Sequence, residues 1–183
     1  MGHSGRSLAV IHHRFNDWVP ALQEAEPRLD IQGAHPREWK SLDPDWLAGA
    51  EALFCWRLPD GLAPRMPRLA WVQNSGAGVD HLVAHPELPV QVAITRADGR
   101  FGFWMARYVC GHLLREALLL DECALAQSRS TWNAKLIPED LGGKTALVLG
   151  FGRIGRQIGR ALQELGMEVR GVARSAKEDA EFR

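Results

Sequence analysis

The sequence predicts an α/β protein in two parts: a mostly parallel sheet with covering helices over residues 1–97, then a strand-helix-strand unit within residues 98–183. Three observations predict it. Short apolar runs alternate with helical patterns through the first part. A stretch of helical periodicity without proline follows, from Phe101 to Gln127. A glycine-rich turn, Gly150-Phe151-Gly152-Arg153-Ile154-Gly155, then stands between an apolar run and another helical pattern.

Taken in order, Leu8 to Ile11 reads as the first strand, and Asp17 as the cap of a helix that places Trp18, Leu22 and Ala25 on one face. Leu29 to Ile31 reads as a second strand. Asp43-Pro44 supplies a cap and a first-turn proline for a short helix that runs to Ala50. Ala52 to Trp56 reads as a buried strand and Pro59-Asp60-Gly61 as a turn, with further strands at Leu69 to Val72 and Val90 to Ile94. The helix from Phe101 to Gln127 sets Met105, Val109, His112, Leu113, Glu116 and Leu120 at helical spacing and can link two domains. After the polar stretch Ser128 to Gly143 comes the strand Thr145 to Leu149, read as buried from Ala146 onward. A helix from Arg153 to Leu165 ends at Gly166, and Glu168 to Ala173 forms the last strand.

Lys plus Arg and Asp plus Glu both number 22, so no overall field draws the chain to nucleic acid or to an anionic membrane. No apolar stretch approaches the roughly 20 residues of a membrane-spanning helix. Met1 to Ile11 lacks the cleavage pattern of a signal peptide, and a cytoplasmic protein is expected. Cys55, Cys110 and Cys123 form no Cys-x-x-Cys pair and sit in apolar sequence, which predicts small buried thiols and assigns no metal site.

The glycine turn carries the clearest chemistry. Gly150 permits the tight turn after a strand, Gly152 leaves room for phosphates, and Gly155 lets the helix pack closely. The helix's unpaired amides and positive dipole end would then face a pyrophosphate, through the backbone from Gly150 and Phe151 to Arg153, Ile154 and Gly155. An NAD site places Asp or Glu after the second strand, on the ribose 2′-hydroxyl. Here Arg174, Ser175 and Lys177 follow Val172-Ala173, which favours the 2′-phosphate of NADP, with NAD as the alternative.

A second small-residue loop, Ser75-Gly76-Ala77-Gly78-Val79-Asp80, leaves a strand and enters a helix, so its backbone amides can hold an anion such as a carboxylate. His81 beside it is expected to be a polar packing or surface residue, and Trp104 a packing residue.

Taken together, these segments resemble the D-isomer-specific 2-hydroxyacid dehydrogenases, and within them the glyoxylate/hydroxypyruvate reductase A branch. The resemblance rests on Cys55-Trp56-Arg57-Leu58-Pro59, Trp71 through Leu82, Met105 with Tyr108-Val109, Trp132, Leu141-Gly142-Gly143-Lys144 with the glycine turn, and Ala173-Arg174-Ser175. It implies a flavodoxin-like parallel-sheet substrate domain, residues 1–97, followed by an incomplete Rossmann dinucleotide-binding domain, residues 98–183. It also implies a substrate carboxylate on the amides of Ala77 and Gly78, with Val79 beside them, and Met105 at the cofactor cleft. The implied reaction is reduction of a small 2-oxoacid such as glyoxylate or hydroxypyruvate by NADPH, or by NADH, and the implied partner is a second copy or a full-length paralogue.

Arg107 stands where the branch has Glu, and Phe103-Trp104 where it has polar residues. In the family the proton-transferring histidine, its carboxylate and the substrate arginine all lie well after the fingerprint. This sequence has no histidine beyond His112, so no catalytic residue is assigned. The chain is expected to be truncated, to lack the substrate domain's closing helix, to leave one face of its second sheet uncovered, and to be inactive alone. A non-catalytic dinucleotide-binding or dimerisation module is the alternative reading.

Overall fold

Leu8, Ala9, Val10 and Ile11 are all buried because their strand, β1 (Ser7–Ile11), has a parallel neighbour on each side and covering elements on its faces. The computed structural model describes residues 6–97 and 99–175, which fall into two compact units, Met1–Asp98 and Gly99–Arg183. The first is a five-stranded, wholly parallel sheet in the order β2-β1-β3-β4-β5, with β2 at Asp30–Ala34, β3 at Ala52–Cys55, β4 at Trp71–Asn74 and β5 at Ala93–Arg96. Ala34, Ile11, Cys55, Asn74 and Arg96 lie in register, so the five strands end in one row.

Three strands begin later than their apolar runs suggest, for one reason: the first residues of each run are used in turns. Leu29 donates to the Glu26 carbonyl, Leu69 to the Met66 carbonyl and Val92 to the Pro89 carbonyl, so pairing starts only after each turn closes. Leu69 still fills the core beside Leu53, Leu62, Met66, Val72 and Leu82, whereas Val90 is fully exposed.

Helix α1 (Phe15–Ala25) starts ahead of Asp17, which lies in its first turn and pairs with Arg14 at 2.7 Å. The start is set by His12 instead. Its Nδ1 accepts from the Arg14 amide at 3.1 Å and its carbonyl accepts from the Phe15 amide at 3.0 Å. In α2 (Pro44–Gly49) the expected cap is present, with Asp43 accepting from the amides of Asp45 and Trp46. Trp46 ties this helix to β2 through Asp30 at 2.7 Å. A one-turn helix, α3 (Asp80–Val83), follows the small-residue loop.

In the second unit the single helix expected from Phe101 to Gln127 is two, α4 (Phe101–Ala117) and α5 (Leu120–Ser128). Leu119 between them adopts left-handed backbone, φ 52° and ψ 42°, which costs a non-glycine residue about 1 to 2 kcal/mol. The carbonyl of Ala117 is taken by the Glu139 amide at 2.8 Å, so the polar segment replaces the next helical turn. Arg115 and Asp121 clamp the break at 2.7 Å. Strands β6 (Thr145–Leu149) and β7 (Glu168–Val172) pair in parallel, joined by α6 (Arg153–Glu164).

Ala146, Val148 and Val169 pack with Val109, Cys110, Leu113, Ile158 and Leu162, placing α4 and α6 on one sheet face. The other face is open: Leu147 and Leu149 are 61% and 76% exposed, so the run read as buried is buried on one side only. Of the thiols, Cys55 is buried and pushed up to about 12 by desolvation, and Cys110 is half-buried. Cys123 departs from expectation and is exposed, on a helix, α5, that has no buried residue to pack it against the core.

Two outcomes follow from this packing. His12 is buried, and desolvation, then the charges of His13 and Arg14, lower its pKa from 6.5. The folded chain therefore favours neutral His12, whose stabilising effect is complete above pH 6.5 and is lost as pH falls through the lowered value. Urea midpoints should drop between about pH 7 and about pH 5, and less steeply in His12→Asn, which keeps an acceptor for the Arg14 amide. Second, in hydrogen exchange on the dilute chain, the β6 amides should exchange faster than those of β4, since among the described residues β6 pairs on one side only. Equal protection would contradict the open face.

Candidate functional site

At the end of β6 the chain reverses on Gly150, whose φ of +95° suits glycine. The amides of Gly150 and Phe151 both donate to the Val172 carbonyl at 2.9 Å, which fixes the turn to the end of β7. The Phe151 ring is buried and lies where a side chain on Gly171 would be: a Cβ there would come within 2.3 Å of the ring. Phe151 thus anchors the turn twice, with its ring under Gly171 and with its amide on the Val172 carbonyl.

Gly155 sits directly over the turn. A Cβ on it would lie 2.3 Å from the Gly150 carbonyl oxygen, a backbone atom that cannot swing aside. A Cβ on Gly152 would meet nothing within 4 Å, so the ground in front of the turn is open. The first hydrogen bond of α6 runs from the Arg156 amide to the Gly152 carbonyl at 2.9 Å. Among the described residues, the amides of Gly152, Ile154 and Gly155 have no backbone acceptor. The first turn of α6 holds Arg153 and Arg156 and no acid, the reverse of what a helix N-terminus favours by itself. These features fit a dinucleotide pyrophosphate: close backbone approach, open space and a cluster of donors.

The second loop, residues 75–79, is held by three strand ends. Ser75 donates to the Cys55 carbonyl at 2.9 Å. The Gly76 carbonyl accepts from the Ala97 amide at 3.1 Å, the Ala77 carbonyl from Arg96 Nη1 at 3.2 Å, and the Gly78 carbonyl from Asn74 Nδ2 at 2.5 Å. Among the described residues, the amides of Gly76, Ala77, Gly78 and Val79 donate to no protein acceptor. Such a run of amides can hold a small anion.

The Trp56 indole covers the loop, occupying the space that a side chain on Gly76 would need. His81 Nε2 lies 2.6 Å from the Trp56 carbonyl; a carbonyl only accepts, so this nitrogen carries the proton. Asn74 is fully buried and its Oδ1 has no partner, an arrangement that costs about 1 to 3 kcal/mol.

The sequence profile for "D-isomer specific 2-hydroxyacid dehydrogenase, NAD binding domain" matches residues 111–183. The glyoxylate/hydroxypyruvate reductase A of Yersinia enterocolitica is 29% identical over 178 residues, covering 92% of this chain and 54% of that protein. A D-isomer-specific 2-hydroxyacid dehydrogenase family protein from Aeromonas salmonicida superposes with a TM-score of 0.84 at 30% identity, over 98% of this chain and 57% of that one. The chain belongs to the D-isomer-specific 2-hydroxyacid dehydrogenase family. A further dehydrogenase of this family, from Xanthobacter autotrophicus Py2 in complex with NADPH and MES, superposes with a TM-score of 0.79 at 31% identity, over 98% of this chain and 56% of that one. The chain spans about half the length of the curated relatives it matches.

Arg174 and Ser175 are exposed directly after β7, while Lys177 lies outside the described residues. Met105 is exposed on α4. Trp104, read as packing, is 56% exposed: it stacks edge-on against Phe103, and the Arg107 guanidinium lies 3.8 Å from the Phe103 ring centroid. Arg107 therefore takes up ring faces where the branch has a carboxylate. Among the described residues, no group of His, Cys, Asp and Glu could hold a metal ion, and no helix is long and apolar enough to cross a membrane.

Sequence reading missed Asn74 and Arg96. The signal available was a carboxamide inside an apolar strand and an arginine at the end of the next, and only strand register shows that both meet one loop.

Gly155→Val should abolish dinucleotide binding and lower stability by several kcal/mol, since its side chain would overlap a backbone carbonyl. Gly152→Ala should leave stability within about 1 kcal/mol. Thermal melts together with NADPH fluorescence titrations check both.

Proposed function

We propose that this chain supplies the substrate-carboxylate loop and the pyrophosphate turn of an NADPH-dependent 2-oxoacid reductase, acting on glyoxylate- or hydroxypyruvate-like substrates in its full-length form. The observation that carries the reading is the pair of glycine loops, each presenting unpartnered amides beyond the end of a parallel strand. The glyoxylate/hydroxypyruvate reductase A likeness across most of the chain supports the substrate class, and the NADPH-bound relative supports the cofactor.

Within the turn from Gly150 to Gly155, the amides of Gly152, Ile154 and Gly155 would hold the pyrophosphate, while those of Gly150 and Phe151 are bonded to the Val172 carbonyl and hold the turn in shape. Arg174, Ser175 and Lys177 would meet the 2′-phosphate, the guanidinium offering a planar fork that an ammonium lacks. Met105 would border the cofactor. Ala77, Gly78 and Val79 would orient the substrate through its carboxylate. The bound nicotinamide would supply the hydride. No proton-transferring residue is assigned to this chain: His81 is engaged with the Trp56 carbonyl, and no histidine follows His112.

A second reading is favoured by a separate observation. Phe101, Trp104 and Tyr108 form an exposed aromatic stripe on α4, and Trp132 is 94% exposed. Such a surface suits a non-catalytic dinucleotide-binding module that pairs with another copy or a paralogue. Steady-state NADPH oxidation with glyoxylate separates the readings, turnover at roughly 1 per second or faster placing the complete chemistry in this chain. NADPH should bind at least tenfold more tightly than NADH, and Arg174→Asp should remove that preference, a change of about 1.4 kcal/mol per tenfold. An unchanged preference would take the 2′-phosphate away from Arg174.

A further inference from the structure

Three successive carbonyls in the loop of residues 75–79 are each held by a donor from the ends of β4 and β5. Gly76 is held by the Ala97 amide, Ala77 by the Arg96 guanidinium, and Gly78 by the Asn74 carboxamide. In a trans peptide the N–H points away from the C=O of the same plane. Holding the carbonyls of Gly76, Ala77 and Gly78 toward the strand ends therefore turns the amides of Ala77, Gly78 and Val79 the other way. These are the amides that the carboxylate reading uses.

We propose that Asn74 and Arg96 are positioning residues for this loop, fixing the peptide planes of Gly78 and Ala77 so that three amides converge on a substrate carboxylate. The inference rests on the reading of the loop as the carboxylate site.

The state of Asn74 supports it independently. It occupies a position with no solvent exposure, at the row where Ile11 and Cys55 fill the core, and an apolar side chain there would leave nothing unpaired. Its Oδ1 has no partner. Turning the carboxamide over would set that oxygen against the Gly78 carbonyl oxygen, so the observed orientation keeps the donor on the loop and leaves the acceptor orphaned. Packing alone does not account for this residue; control of the Gly78 peptide does. Arg96 is exposed and pairs with no carboxylate among the described residues, so its bond to Ala77 is its one described polar contact with another side chain or loop.

The test uses the full 183-residue chain and oxalate, a non-reducible dicarboxylate of 2-oxoacid size, followed by amide NMR shifts at Ala77, Gly78 and Val79. The wild-type chain should show saturable shifts at these amides. Asn74→Ala and Arg96→Ala should each weaken oxalate about tenfold, and Arg96→Lys, which keeps a donor of similar reach, should recover most of the loss. Thermal midpoints should barely move for the exposed Arg96 variants, which keeps the test valid if Asn74→Ala is destabilised. Asn74 is neutral, so its effect cannot be charge attraction. Weakening by Arg96→Ala with none by Asn74→Ala in a folded chain would mean that Arg96 acts by charge, and would overturn the proposal. Wild-type binding with both variants unchanged would overturn the positioning role and leave the carboxylate reading standing. No shift at Ala77 to Val79 in the wild-type chain would remove both.

Discussion

Parallel pairing sends every strand out of a sheet at the same edge, and most of what this protein can do depends on that constraint. In the first unit the register brings the ends of β3, β4 and β5 together, so that Cys55, Asn74, Arg96 and Ala97 all reach one loop. The same geometry would be impossible in an antiparallel meander, where neighbouring strands end on opposite edges. The loop owes its conformation to donors outside it, and so its carbonyls are occupied and its amides are left over. Unpartnered amides are costly in a dry interior and useful at an edge that a ligand or water can reach.

The second glycine turn reaches a similar outcome by different means. There the constraint is steric: the first helical turn passes so close to the Gly150 carbonyl that Gly155 has no room for a Cβ, and Phe151 locks the turn by filling the space over Gly171. The turn is anchored to a two-stranded sheet with one apolar face exposed at Leu147 and Leu149. A strand paired on one side and covered on one face has less to hold it than β1, which is paired on both sides and buried from Leu8 to Ile11. The two loops therefore stand on supports of unequal strength.

Much of the fold was legible in the residues. The order of strands and helices, the Asp43 cap and the placement of the fingerprint between β6 and α6 follow from periodicity, capping and glycine chemistry, which are local. What was misread had a tertiary cause. The strands after Glu26, Met66 and Pro89 start late because turns take their first amides. The break at Leu119 falls in a run of leucines with no glycine or proline to mark it, and there Glu139, twenty or so residues on, takes the Ala117 carbonyl that a continued helix would have used.

By itself the sequence determined the α/β class and the family resemblance, and it marked the loops from Ala77 to Val79 and from Gly150 to Gly155 as candidate binding sites. These lie in contiguous residues, whose backbone freedom and spacing are written locally. Only the tertiary structure decided which way the loop amides face, that Asn74 and Arg96 hold them there, and that Phe151 serves its turn from beneath. Those facts depend on the register between strands distant in sequence, and register is set by the packing of the whole sheet.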